Sequence, residues 1–152
     1  MLNCLRRLVT ALWAGSLWTT GYLVAPTLFN TLADRILAGT IAGNVFRTEA
    51  WVSLACGAVL LLLLAASPVD ESEHGIMRKV RSSRSKTAII IALMLLCTAV
   101  SYFGLQPVMA GLRSGGLADE ATRNQFGVLH AISSGIFLVQ SLLAGWLVVR
   151  NK

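Results

Sequence analysis

Charged side chains are scarce in this chain. They make up 13% of its 152 residues, where a soluble domain carries about 25%. That shortage excludes an ordinary water-soluble domain. Histidine occurs only as His74 and His130, and cysteine only as Cys4, Cys56 and Cys97, with no Cys-x-x-Cys pair. An odd number of scattered thiols argues against a disulfide framework and leaves each as a small apolar filler. No Walker sequence, His-Glu-x-x-His or glycine-rich phosphate loop occurs, and nothing resembles a nucleophile–base–orienter set. The expectation is a non-catalytic protein. A nucleic-acid partner is not expected either, because the basic residues flank apolar blocks and no recognition motif accompanies them.

What the chain has is apolar length. Hydrophobic residues make up 55% and mean hydropathy is +0.69. They concentrate in four blocks free of charge, Leu8–Ala25, Ala50–Ala66, Thr87–Leu105 and Gly127–Val149. A helix needs roughly 20 apolar residues to cross a hydrocarbon core about 30 Å thick, and backbone groups in lipid must be bonded internally. The blocks therefore predict an all-α, four-helix transmembrane bundle, with residues 1–152 as one transmembrane domain in contact with the lipid bilayer. Arg6 and Arg7 precede the first block, but no small-x-small cleavage pattern follows it, so it reads as a retained span.

Nine of the thirteen Lys/Arg residues lie in the N-terminus, the connector 67–86 and the C-terminal tail, against Arg35, Arg47, Arg113 and Arg123 in the other two loops. The positive-inside rule then places both termini and the basic connector in the cytoplasm of a bacterial inner membrane. Attraction of that connector to anionic head groups accounts for its charge. The acidic run at 70–74, with His74, reads as a solvated loop.

Residues 26–48 form the first outer loop, where Leu28, Leu32, Ile36, Gly39, Gly43 and Phe46 recur at helical period. One or two amphipathic helices across the mouth of the bundle are expected there. Four helix faces are also readable. In the first span Ala11, Gly15, Thr19 and Tyr22 form a row suited to close helix approach. In the second, Glu49, Ser53, Cys56 and Gly57 share a side. Met94, Thr98, Ser101 and Tyr102 do so in the third. In the fourth, His130, Ser133, Ser134, Phe137 and Ser141 fall in one arc, opposite Leu129, Ile132, Ile136, Val139, Leu143 and Trp146. Polar residues in spans face inward. "GYLVAP" and "SYFGLQP" each set a tyrosine shortly before the proline that ends an outward span, an echo that two duplicated helix pairs would produce.

Taken with those boundaries, Tyr22, Glu49, Tyr102 with Gln106, and His130 each sit within about four residues of a span's outer end, hence within roughly 6 Å of depth at 1.5 Å per residue. They are expected to share an outer-leaflet polar pocket. Two readings stay open. One is a hydrogen-bond network in which His130 bonds Glu49 or a tyrosine hydroxyl. The other is a ligand site, with His130 and Glu49 as metal ligands or His130, Tyr22 and Tyr102 around a cofactor. His74 lies on the opposite side, so bis-histidine haem ligation is excluded. Met94, Cys97 and Cys56 offer soft sulfur to copper but read first as packing.

Ala25-Pro26-x-Leu28-Phe29, then Ala38-Gly39-x-x-x-Gly43-x-x-Phe46, then Phe126-x-x-Leu129-His130-x-x-Ser133 resembles a bacterial four-helix membrane family of unknown function. That family is related to the transmembrane protein 205-like proteins and similar to the copper resistance protein D superfamily and, distantly, to haem-binding membrane oxidases that make protoporphyrin. The resemblance makes Pro26, Phe29, Gly39, Gly43, Phe46, Ser133 and Ser134 signature positions. It implies an inner-membrane bundle, with copper or haem as the cofactors of its wider group. The leading functional expectation is an accessory protein that binds another membrane protein or a second copy of itself. Metal handling or haem-dependent redox chemistry centred on His130 is the alternative.

Overall fold

A computed structural model of the chain describes residues 2–66, 74–115 and 119–150, with side chains described outside 74–83. Its elements are α1 (Leu2–Trp18), a π turn (Thr19–Val24), α2 (Ala25–Thr31), α3 (Arg35–Ala66), α4 (His74–Ala99), a second π turn (Val100–Leu105), α5 (Gln106–Ser114) and α6 (Glu120–Arg150). No strand occurs among the described residues. Four stretches are long and apolar enough to cross a membrane: Leu2–Thr31, Arg35–Ala66, Arg84–Ser114 and Glu120–Arg150. The fold is therefore the expected all-α transmembrane bundle. Each stretch exceeds its apolar block, and the second half of the basic connector, from His74, is already helical. Residues 67–73, which hold most of the acidic run, lie outside the described residues.

The two π turns follow from two prolines. A proline inside a helix offers no N–H, and its ring meets the carbonyl four residues back. Ahead of Pro26 the Ala25 N–H reaches Thr20 O, and ahead of Pro107 the Gln106 N–H reaches Ser101 O. Both bonds span five residues. This one-turn widening lets the chain run on through the proline at the start of α2 and of α5. The tyrosine–proline echo thus corresponds to a repeated structure. Each half of the chain is a helix, a π turn, a proline-led short helix and then a long returning helix.

α1 packs on α3 and α6, and α4 packs on the same two, giving an up-down-up-down square. We call the end that holds the chain termini, Ala66 and Arg84 basal, and the end that holds α2 and α5 distal. The core is Trp13, Leu17, Cys56, Leu60, Ile91, Met94, Ala144 and Leu147. A polar bond crosses each side of the square. Trp13 Nε1 donates to Ser53 Oγ at 2.8 Å, Trp18 Nε1 to Ser141 Oγ at 2.9 Å, and Gln140 Nε2 to Thr98 Oγ1 at 2.9 Å; Arg84 donates to the Leu64 carbonyl. Such bonds are worth about 0.6–2 kcal/mol each in a membrane. Their larger effect is to fix which faces meet, because lipid and leucine attract an apolar helix equally.

Two expectations change. The loop 26–48 contributes α2, but its second half is no separate helix. Asp34 caps it, Oδ1 accepting the Ile36 and Leu37 N–H groups at 2.8 and 3.1 Å, and the helix then runs unbroken for 32 residues. The row Ala11, Gly15, Thr19 and Tyr22 is also not the packed face: Ala11 and Thr19 are exposed, and only Tyr22 reaches a neighbouring span, α6. The covered face is Thr10, Trp13, Ala14 and Leu17, and nothing lies within 4 Å of a side chain placed at Gly15. In a span that is apolar all round, both rows have helical spacing, and the larger contact surface of Trp13 and Leu17 decides between them.

Candidate functional site

The four expected site residues occupy different places. Glu49 is buried, 6% exposed, between α1 and α3. Its Oε1 accepts from Ser53 Oγ at 3.1 Å, and Ser16 Oγ lies 3.2 Å away. Ser53 in turn accepts from Trp13. Tyr22 lies at the α1–α6 seam, its hydroxyl 3.0 Å from Ser141 Oγ, which also accepts the Trp18 indole. Tyr102 stands with Trp51 on the α3–α4 seam, rings edge to face at 6.0 Å, and Trp51 is 58% exposed. His130 stacks on Phe126, one turn away, with centroids 6.1 Å apart and planes 9° apart.

Rings fix the relative depths. Phe137 meets Tyr22 and Phe46 edge to face, at 5.9 and 5.6 Å, so these three are level. His130 lies seven residues distal of Phe137 on α6, and Glu49 three residues basal of Phe46 on α3. At 1.5 Å per residue they stand about 15 Å apart along the bundle axis. The expected common level fails because α3 begins fourteen residues before Glu49, which makes that carboxylate a mid-helix residue. The ring of His130 therefore has no bond to Glu49, and no three His, Cys, Asp or Glu side chains gather into a metal-holding group among the described residues. Cys56 and Met94 are both core packing. His130 and Glu49 therefore do not form a joint ligand pair.

A different cluster, missed in the sequence, forms at the distal end. Arg113, in the last turn of α5, donates Nη1–H to the Gly39 carbonyl at 2.8 Å. Its guanidinium stands 5.5 Å from the centroid of Phe126, the ring on which His130 stacks. Side chains built at Gly39 and Gly43 would come within 3.7 and 3.4 Å of it. The glycine pair that reads as a helix-packing motif is instead the notch that seats an arginine. Arg113 has no carboxylate partner among the described residues. The nearby loop acids Asp34 and Asp119 are occupied as caps of α3 and α6.

α6 also changes surroundings along its length. Gln140, Ser141, Ala144 and Leu147 are buried in the basal half, and Phe137 and Ser133 are half-buried. In distal α6 the covered line runs through Phe126, Leu129, Ser133 and Ile136, all half-buried, so Leu129 and Ile136, expected toward lipid, are partly covered, while His130 and Ser134, expected inward, are exposed beside them. α2 packs on α3 and α5 on α6, whereas α2 is not packed closely on α6. Tyr22, Phe29 and Pro26 are exposed as well.

Residues 8–118 match the family model described as Domain of unknown function (DUF4149). The chain belongs to the DUF4149 family. The matched residues span both π turns, the glycine notch and Arg113, whereas α6, with His130 and Ser141, lies beyond them. No match was found among curated proteins or solved structures. Membership of DUF4149 agrees with the expected family of unknown function and brings no activity with it.

Proposed function

We propose that this DUF4149 protein is a non-catalytic accessory protein of the membrane that holds a guest from the bilayer in the distal opening between α2 and α6. One observation carries the reading: at the edge of the half-buried line of distal α6, His130 and Ser134 are left uncovered, Ser134 one turn from the Phe137 ring that meets Tyr22. A polar-and-aromatic face without a helix against it suits an amphiphilic occupant, since a span normally turns such residues inward. The polar bonds deeper in the bundle are bonded among themselves and offer no open reaction centre.

Native mass spectrometry after mild detergent extraction tests this. The wild-type protein is expected to keep one bound guest. Ser134→Trp, which fills the opening, is expected to lose it, whereas Val139→Trp, on the lipid-facing side, is expected to retain it. A bare wild-type protein, or a guest insensitive to Ser134→Trp, defeats the reading.

The Lys/Arg bias supports a cytoplasmic basal end, with the proposed opening toward the outer leaflet. Exposed Cys4 reports this. A membrane-impermeant maleimide added to intact cells should label it only after permeabilisation, and labelling of intact cells reverses the assignment.

A further inference from the structure

Two arginines bracket α3. Arg84 holds the Leu64 carbonyl at the basal end and Arg113 the Gly39 carbonyl at the distal end. The two carbonyls are twenty-five residues apart, about 38 Å along a helix. A bilayer including its head groups is about 40–45 Å thick. If the Leu64 level lies at the head groups of one leaflet, Arg113 lies at those of the other.

His130 reaches the same depth. It is seven residues distal of Phe137, which is level with Phe46, and Gly39 is seven residues distal of Phe46. The guanidinium and the imidazole thus share a depth along the axis, each against the Phe126 ring. The guanidinium gives one hydrogen bond, to the Gly39 carbonyl, and has four further N–H groups to give. About 10 Å basal of the two side chains lie the Phe137–Tyr22–Phe46 rings.

From this arrangement we infer that the guest is a phosphate-bearing lipid of the distal leaflet, its phosphate on Arg113 with His130 beside it and its acyl chain in the opening between α2 and α6. The inference rests on the reading above that the opening is occupied. Charge decides the head group, because a half-buried guanidinium forks onto phosphate or carboxylate oxygens, and Asp34 and Asp119 already serve helix ends. With Leu64 at one head-group layer, depth favours a lipid source, since an anion on Arg113 is then at the level of the opposite leaflet's phosphates. The rings basal of it suit a tail, which a free anion lacks.

The test presents delipidated protein with dioleoylphosphatidylglycerol, dioleoylglycerol or inorganic phosphate, and reads the retained adduct by native mass spectrometry. Phosphatidylglycerol should be retained and the other two not. Arg113→Gln should weaken retention on the order of tenfold, as loss of a charge-assisted contact does. Arg113→Lys, which keeps the charge but loses the fork, should recover part of it. Equal retention of phosphatidylglycerol and dioleoylglycerol, both lost in Ser134→Trp, overturns the phosphate contact while the occupied opening stands. Retention of neither defeats both readings. Retention of inorganic phosphate alone makes Arg113 a site for a free anion and overturns the lipid assignment. Arg113→Gln and Arg113→Lys that both bind as tightly as wild type remove Arg113 from the site.

Discussion

Gly21→Ala destabilises the bundle by about 1–3 kcal/mol, the usual cost of overpacking, while Gly15→Ala leaves it unchanged or slightly more stable. Both replace a helical glycine in the same span, so intrinsic propensity favours both substitutions. Their surroundings differ. A Cβ at Gly21 falls 2.2 Å from Cε1 and Cζ of Phe137, and one at Gly15 meets nothing within 4 Å. The Phe137 ring cannot simply step aside. Tyr22 and Phe46 stand against it edge to face, and the Tyr22 hydroxyl is tied to Ser141. Gly57 is the intermediate case, where the added carbon meets the tip of Leu95 at 2.4 Å, a side chain that can rotate. Steric-trapping measurements in bicelles should rank the costs Gly21→Ala, Gly57→Ala, Gly15→Ala. Phe137→Leu should recover most of the Gly21→Ala loss. Equal stabilities for the Gly21 and Gly15 variants would contradict the packing of α6 on the first π turn.

Trp13→Ala is expected to cost more, about 3–5 kcal/mol as for other large buried side chains. Trp13 is 1% exposed and belongs to the core shared by all four spans. Its indole also begins the relay from Trp13 to Ser53 to Glu49. Trp13→Phe keeps most of the volume and removes only the donor, a loss of about 0.6–2 kcal/mol. Ser53→Ala leaves the buried indole N–H without its acceptor and removes a donor from Glu49, a cost of about 1–3 kcal/mol. Because the two substitutions break the same bond, the double variant Trp13→Phe with Ser53→Ala should cost less than the sum of the singles. Strict additivity in a thermal or denaturant titration would show that the bond contributes nothing.

Crossing number and helical class were legible because twenty apolar residues in a row have few other uses. The basal faces were legible too: Glu49, Ser53, Cys56 and Gly57 are all buried, as are Met94, Thr98 and Ser141. Boundaries were less so. Arg47 and Glu49 look like loop residues beside an apolar block, yet a helix capped at Asp34 has no reason to stop at a charge that finds partners. That one displaced boundary carried Glu49 away from His130 and dissolved the expected pocket. The role of Arg113 had no local signal at all. Its notch is Gly39 and Gly43, seventy residues earlier, and only the antiparallel register of α3 with α5 brings them together. The prolines did leave a trace, in the tyrosine that precedes each.

The π turns divide the molecule mechanically. On their basal side the four spans are cross-linked by indole, amide and hydroxyl bonds; on their distal side α2 contributes no buried residue and a single guanidinium spans from α5 to α3. Bending at the two prolines would swing α2 and α5 like paired jaws over a stiff base, widening or narrowing the mouth without breaking any bond near Glu49.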